Sequence, residues 1–287
     1  LPLCVTQGDW LRQKTAHHRS EFQPVRWHYD EADTGGQGGA TLGQAAPFVV
    51  FGPSHLTVLG LIALIPVVLA TLVKLTKSGT LSRVISWTFA VVIVGVWIAW
   101  YVVFTQKGWI NLGNALPLDL CSWAAIATVV ALVTGNQKAY ELAWFWAMAG
   151  TVQGIITPDI PDDFPAFRFI EFSTFHGGII AGVLFLTLGR RMRVYPRSIP
   201  RVIGWSLIYM AAAGAADWLL EVNYGFLRAK PGHASLYDLM PAWPWYIPIV
   251  VVLALIAVLI CYLPFLIADI VARLRKTPHH QPISLPE

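Results

Sequence analysis

Tyr246-Ile-Pro-Ile-Val-Val-Val-Leu-Ala-Leu-Ile-Ala-Val-Leu-Ile-Cys-Tyr-Leu-Pro-Phe-Leu-Ile-Ala-Asp-Ile270 holds one charged residue, Asp269. As a helix this run is roughly 37 Å long, more than the about 30 Å of a bilayer's hydrocarbon core. It reads as a membrane-spanning helix. Six further apolar stretches precede it, at roughly 55–75, 82–104, 115–134, 139–157, 169–189 and 201–222. The fourth and fifth are the least apolar, because they hold Glu141 and Gln153, and Arg168 and Glu171. The expected fold is all-α: a polytopic bundle of seven transmembrane helices over 47–271. Composition agrees. The chain is 56% hydrophobic and 13% charged, with mean hydropathy +0.58, whereas a soluble domain carries about 25% charged residues.

The basic residues set an orientation. Lys74, Lys77, Arg83, Lys138, Arg190, Arg191, Arg193, Arg197, Arg201, Arg273, Arg275 and Lys276 fall in alternate loops and the tail. Lys107, Arg168, Arg228 and Lys230 fall in the others. Twelve against four places the first set in the cytoplasm by the positive-inside rule. The N-terminus is then outside, and 272–287 forms a basic cytoplasmic tail. The net charge of +4 resides in these loops and does not suggest nucleic acid. Residues 1–46 are polar, with a glycine-rich run at Gly35–Gly39, and read as a disordered leader or a misplaced start. Cys4, Cys121 and Cys261 make no disulfide framework and no metal-ligand spacing.

The polar residues that interrupt the spans collect toward the outer end. Ionisable groups inside a bilayer are expensive and usually functional. Pro117 is expected to open the third helix, placing Cys121 roughly 7 Å below its mouth. The partial positive charge there favours a thiolate, the nucleophilic form. The bland alternative is an ordinary small buried residue. His176 lies early in the fifth span, at similar depth, as a neutral imidazole able to accept a proton; Gly177 and Gly178 are expected to leave room beside its ring. Otherwise it is a polar residue bonded to a neighbouring helix. His55 is a second candidate. Asp217, late in the sixth span, needs a partner such as Arg168, Arg228, Lys230 or a histidine. Asp119 stands about 200° around the helix from Cys121 and is expected to brace a neighbour. The stiff segment 157–168 is a candidate lid, with Asp159 and Arg168 available to a lipid headgroup. Asn223 and Tyr224 suit a turn after the sixth span, and Trp245 an interfacial belt. Gly204 and the Ala211–Ala216 run predict close packing of the sixth helix.

The motifs together are more specific than any one. Leu116-Pro-Leu-Asp-Leu-Cys121, Tyr140-Glu-Leu142 with Phe145-Trp146, Gly150-Thr-Val-Gln153, Thr157-Pro-Asp159, Phe167-Arg-Phe169, His176-Gly-Gly178, Asn223-Tyr-Gly-Phe226 with Lys230-Pro231, and Trp243-Pro-Trp-Tyr246 occur in this order. The set, over about 48–265, resembles the YwaF-type bacterial integral membrane proteins, a family similar to the eukaryotic transmembrane protein 164 acyltransferases. That resemblance implies a bacterial cytoplasmic-membrane protein that moves acyl chains between phospholipids through a cysteine. It sets Cys121 at the nucleophile's position, with His176 as the natural base and Asp217, Asn223 or Asp159 as the third residue. Arg168, Asp159, Asn223, Tyr224 and Trp245 are the residues expected around the lipid. No cofactor or metal is required. A transporter using the same polar layer and a non-catalytic scaffold are the rival readings.

Overall fold

A computed structural model describes residues 46–231 and 236–275. The expectations for the leader, its histidines and Cys4, and for 276–287 lie outside the described residues. In chain order the helices are α1 (Pro53–Thr76), α2 (Gly79–Gln106), α3 (Leu120–Thr134), α4 (Gln137–Trp146), α5 (Val152–Ile156), α6 (Phe167–Leu188), α7 (Ser198–Leu220) and α8 (Tyr246–Leu274). A short turn, Leu112–Ala115, precedes α3. Among the described residues there is no strand, only one bridge between Pro47 and Asp162.

Among the described residues six helices are long and apolar enough to cross a membrane: α1, α2, α3 with its preceding turn, α6, α7 and α8. The crossing expected at 139–157 takes a different form. One π-helical turn, Ala147–Thr151, joins α4 to α5. Residues 137–156 therefore make one rod, about 30 Å long, divided by the π turn and carrying a buried acid, Glu141. The start of the third expected span also shifts. Leu116 is extended (φ −94°, ψ 142°), as a residue before proline prefers. The helix begins only at Leu120, with Asp119 as its N-cap residue. Cys121 is thus in the first turn rather than a turn deeper.

Local chemistry explains the tight joints. Ser78 starts α2 by accepting the Leu81 N–H. Gly135 ends α3 at φ 69°, where a side chain would be strained, and Asn136 starts α4 by accepting the Lys138 and Ala139 N–H groups. Two residues thus reverse the chain, and α3 and α4 pack as a hairpin.

The central helix is α6, with 56% of its most apolar window buried against 6% for α8. It packs on α1, α2 and α3. Gly177 and Gly178 make this approach close: a Cβ would come 2.9 Å from Ile62 and 3.1 Å from Ile93. These glycines therefore face α1 and α2 and do not make room for His176, since successive residues turn by about 100°. The core between the helices is apolar, with Ala124, Ala127, Phe145, Ile179 and Val183 buried together. Helix α7 packs on α4, and α8 rests on the π turn. The expected small-residue packing of α7 does not form at Gly204, where a Cβ would meet nothing within 4 Å.

A polar layer closes the end of the bundle where α3 meets α4. Glu141 pairs with Arg201 and accepts from Gln137. Arg193 pairs with Asp269 at 2.7 Å. The Tyr140 hydroxyl meets Thr187 and the Met192 carbonyl.

Candidate active site

The opposite end holds the residues singled out from sequence, and the π turn organises them. Gly150 lets Leu120, at the start of α3, press against the turn; a Cβ there would sit 2.9 Å from the leucine Cδ2. Single π turns recur at functional sites because they displace side chains from the regular helical register. Thr151, the turn's last residue, faces the Cys121 thiol, with its hydroxyl fully buried and outside normal hydrogen-bond geometry. Cys121 itself is half-buried and free of any disulfide.

His176 approaches the same rod from α6. Its Nδ1 lies 3.0 Å from the Phe172 carbonyl. A carbonyl can only accept, so Nδ1 carries the hydrogen and Nε2 keeps its lone pair. The ring stacks on Phe172 at 4.0 Å and stands edge-on to Phe175. Its Cδ2, the carbon bonded to Nε2, would lie 3.8 Å from a Cβ on Gly154. Gly154 is therefore the glycine beside the imidazole. Thr151 and Gly154 are three residues apart, one turn on the same face. Cys121 and His176 thus flank one face of the rod from α3 and α6, with no hydrogen bond between them.

Asp217 does not join this pair. It is 2% exposed, and its Oδ1 accepts the Tyr224 N–H at 2.6 Å. Its backbone carbonyl accepts from Arg228 at 3.0 Å. Of the partners expected for Asp217, Arg228 is the one found beside it. The Phe172 carbonyl, rather than a carboxylate, orients His176. Asp119 makes no capping bond and is solvent-exposed, although Cys121, Tyr209 and Asp217 all feel its charge. Because it lies outside the helix, its expected opposition to Cys121 does not arise.

The loop after α7 is tightly bonded. Asn223 Oδ1 accepts the Arg228 and Ala229 N–H groups, and its Nδ2 donates to the Ala229 carbonyl. Tyr224 is buried, donates to the Leu112 carbonyl and accepts the Leu116 N–H. Its hydroxyl thereby fixes the approach to α3. The left-handed residue that ends α7 is Glu221 (φ 56°), and Gly225 follows inside the loop at φ 60°.

The remaining candidates lie around the mouth. Asp159 is exposed in the segment between α5 and α6. Arg168 lies 5.1 Å over the Phe104 ring, near Glu171. Trp245 is 70% exposed at the head of α8. His55 is buried: Nδ1 accepts the Phe51 N–H and Nε2 donates to the Ile155 carbonyl. It clips α1 to α5 and has no lone pair left for catalysis. Beside it, Phe48 and Asp163 join the chain before α1 to the 157–166 segment. Among the described residues no His, Cys, Asp and Glu cluster fits a metal. A shallow groove on α2, lined by Thr80, Arg83, Trp87 and Val91, carries no nucleophile.

Sequence reasoning missed Thr151, Gly154 and Tyr209. Tyr209, on α7, packs with Leu120 and stands edge-on to Trp123 at 5.5 Å. A polar side chain on an otherwise apolar helix face was the available signal.

The model of the TMEM164 family matches residues 50–262. No curated protein and no solved structure matches the chain.

Proposed function

The chain belongs to the TMEM164 family, and on that premise we propose that it is a membrane-embedded acyltransferase using Cys121 on phospholipid acyl chains. One arrangement supports the reading: Thr151, beside the Cys121 thiol, and Gly154, beside the His176 ring, lie one turn apart on the α4–α5 rod, and the imidazole's tied Nδ1 leaves Nε2 able to accept a proton. Nε2 takes the thiol proton. The thiolate attacks a lipid ester carbonyl, giving a tetrahedral oxyanion. Its collapse breaks the ester C–O bond, and the departing lyso-lipid alkoxide takes the proton from His176. An acyl thioester on Cys121 remains. A lyso-lipid hydroxyl then gives its proton to Nε2 and attacks the thioester, and the thiolate leaves and is reprotonated.

In this reading Asp217, Asn223 and the buried Tyr224 hold the loop that braces α3, and Arg168, Asp159 and Trp245 border the lipid. The rod 137–156 is the seventh crossing, which puts the Cys121 end outside by the twelve-to-four bias of basic residues. The ordered motifs support a YwaF-type bacterial protein of the cytoplasmic membrane. The transporter reading has less support: the layer between the two polar ends is filled by Ala124, Phe145, Ile179 and Val183.

The test uses the full chain in nanodiscs with a defined phospholipid and a labelled lyso-acceptor. Acyl transfer that disappears in Cys121→Ala, with a thioester trapped on the wild type, is expected. Equal transfer by wild type and Cys121→Ala, or none by either, overturns the reading.

A further inference from the structure

Two buried hydroxyls near Cys121, Thr151 Oγ1 and Tyr209 Oη, make no hydrogen bond of normal geometry among the described residues, and the polar groups beside them are the Cys121 thiol and the Leu120 backbone. Thr151 is 0% exposed and Tyr209 6%. Buried polar groups are normally paired, because losing water without a replacement bond is costly. Thr128, at the same burial as Thr151, follows that rule by donating to the Ala124 carbonyl one turn back. Thr151 sits where the π turn ends and makes no such bond.

Both hydroxyls converge on the start of α3. Thr151 faces the thiol from the rod. Tyr209 reaches in from α7, packed against Leu120, with its oxygen beside the Leu120 backbone. Space for it depends on Gly225, whose Cβ would fall 2.5 Å from that oxygen. Leu120 and Cys121 are the first two residues of α3, and Asp119 does not cap their amides with its side chain. The first N–H groups of a helix have no acceptor within it. Two O–H donors and a helix N-terminus thus meet at the first turn of α3, which carries Cys121. Asp119 and Asp217 also lie near this point, so the negative oxygen of an adduct on Cys121 needs donors aimed at it.

We propose that Tyr209 and Thr151 are the side-chain donors of an oxyanion hole: they hydrogen-bond the oxygen of the tetrahedral adduct formed when the Cys121 thiolate adds to an acyl carbonyl. The inference rests on the acyl-transfer reading and adds two catalytic residues to it. Donors held ready for a charge that exists only in the adduct stabilise that state and not the resting protein. Their lack of partners at rest follows.

The experiment compares wild type, Tyr209→Phe, Thr151→Val and Cys121→Ala in nanodiscs. It reads kcat and KM for acyl transfer, the melting temperature, and the rate at which iodoacetamide alkylates Cys121. Alkylation displaces iodide and forms no oxyanion, so it reports the thiol alone. Tyr209→Phe and Thr151→Val are each expected to lower kcat by roughly 10- to 100-fold. KM and melting temperature should stay near wild type, since neither hydroxyl makes a conventional bond that the fold would lose, and alkylation should fall far less than kcat, because Thr151 is only one neighbour of the thiol. Unchanged kcat in both variants, with Cys121→Ala inactive, overturns the oxyanion role and leaves the acyl-transfer reading intact. Alkylation that slows in step with kcat also overturns it, because the residues would then act on the thiol. A wild type without transfer overturns both.

Discussion

The two ends of the bundle are built from similar side chains, yet they satisfy them differently. At the Glu141 end both Glu141 oxygens, the Tyr140 hydroxyl and Gln137 are bonded, and among the described residues the unbonded group is the Arg193 Nε, whose guanidinium still has the Asp269 charge beside it. At the Cys121 end Thr151 Oγ1, Tyr209 Oη and Asp217 Oδ2 are buried without a partner. A membrane protein gains little from hydrophobic transfer between helix and lipid, so packing and hydrogen bonds hold its helices together. Polar groups that bond each other serve the fold. Polar groups held unbonded around Cys121 are, on the acyl-transfer reading, kept for a substrate. If the proposed chemistry takes place at the Cys121 end, substitutions at one end should leave the other's property alone.

The sharpest way to break that separation is to cut the Glu141–Arg201 pair from each side. The Arg201 side chain is 28% exposed and that of Glu141 2%. Arg201→Met strands a buried carboxylate and is expected to cost about 3 kcal/mol. Glu141→Gln keeps an acceptor for Gln137 and leaves a guanidinium that reaches solvent, so it should cost about 1 kcal/mol. Thermal unfolding in detergent measures both. Acyl transfer per folded molecule should match wild type in each. Equal costs, or a fall in that specific rate, would show the two ends to be coupled.

A smaller effect is expected where the Cys121 end does use bonded groups. Tyr224→Phe removes a donor from the Leu112 carbonyl and an acceptor from the Leu116 N–H, at a cost of about 2 kcal/mol. Burial also pushes the Tyr224 phenol above its ordinary value. The raised value belongs to the folded chain, and the neutral phenol is the form that bonds. Its contribution is therefore constant below about pH 10, where the unfolded chain is neutral too, and is lost as pH rises through the folded value. Wild type should lose this increment in alkali, and Tyr224→Phe has none to lose. A variant as stable as wild type at pH 8 would show that the loop does not brace α3.

Much of this architecture was legible because a spanning helix announces itself by its own apolar length and needs no knowledge of its partners. The six longest helices fall where the hydropathy of 55–270 puts them. Legibility failed where a residue's meaning depends on a distant neighbour. Glu141 weakens the fourth stretch until Arg201, sixty positions on, is known to meet it. Leu116-Pro117 was read as a helix start, but the extended backbone it favours delays α3 to Leu120. Gly177 and Gly178 drew attention by standing next to His176 in sequence. The ring instead faces Gly154, on another helix. Cys121 and His176 were visible as rare residue types in apolar runs. Thr151 and Tyr209 are common types, and only the π turn and the Gly225 gap give them a role.

Gly154 offers the mildest way to sharpen the comparison. A methyl placed there would stand 3.8 Å from His176 Cδ2, an ordinary van der Waals contact that requires no repacking. Gly204 is a matched control, since its Cβ would meet nothing within 4 Å. Both lie inside helices, so alanine should stabilise each by up to about 1 kcal/mol through helix propensity alone. The two variants should therefore melt together, at or slightly above wild type. They should differ in rate. The Gly154→Ala methyl enters the space beside the edge that carries Nε2 and should slow acyl transfer a few-fold, whereas Gly204→Ala should leave it unchanged. If both slow transfer equally, stiffening of the helices is the cause, and the imidazole does not work against this face of the rod. If only Gly154→Ala slows it, with melting unchanged, the proton acceptor is acting across the α5–α6 contact, at the end of the bundle where polar groups are left unpaired.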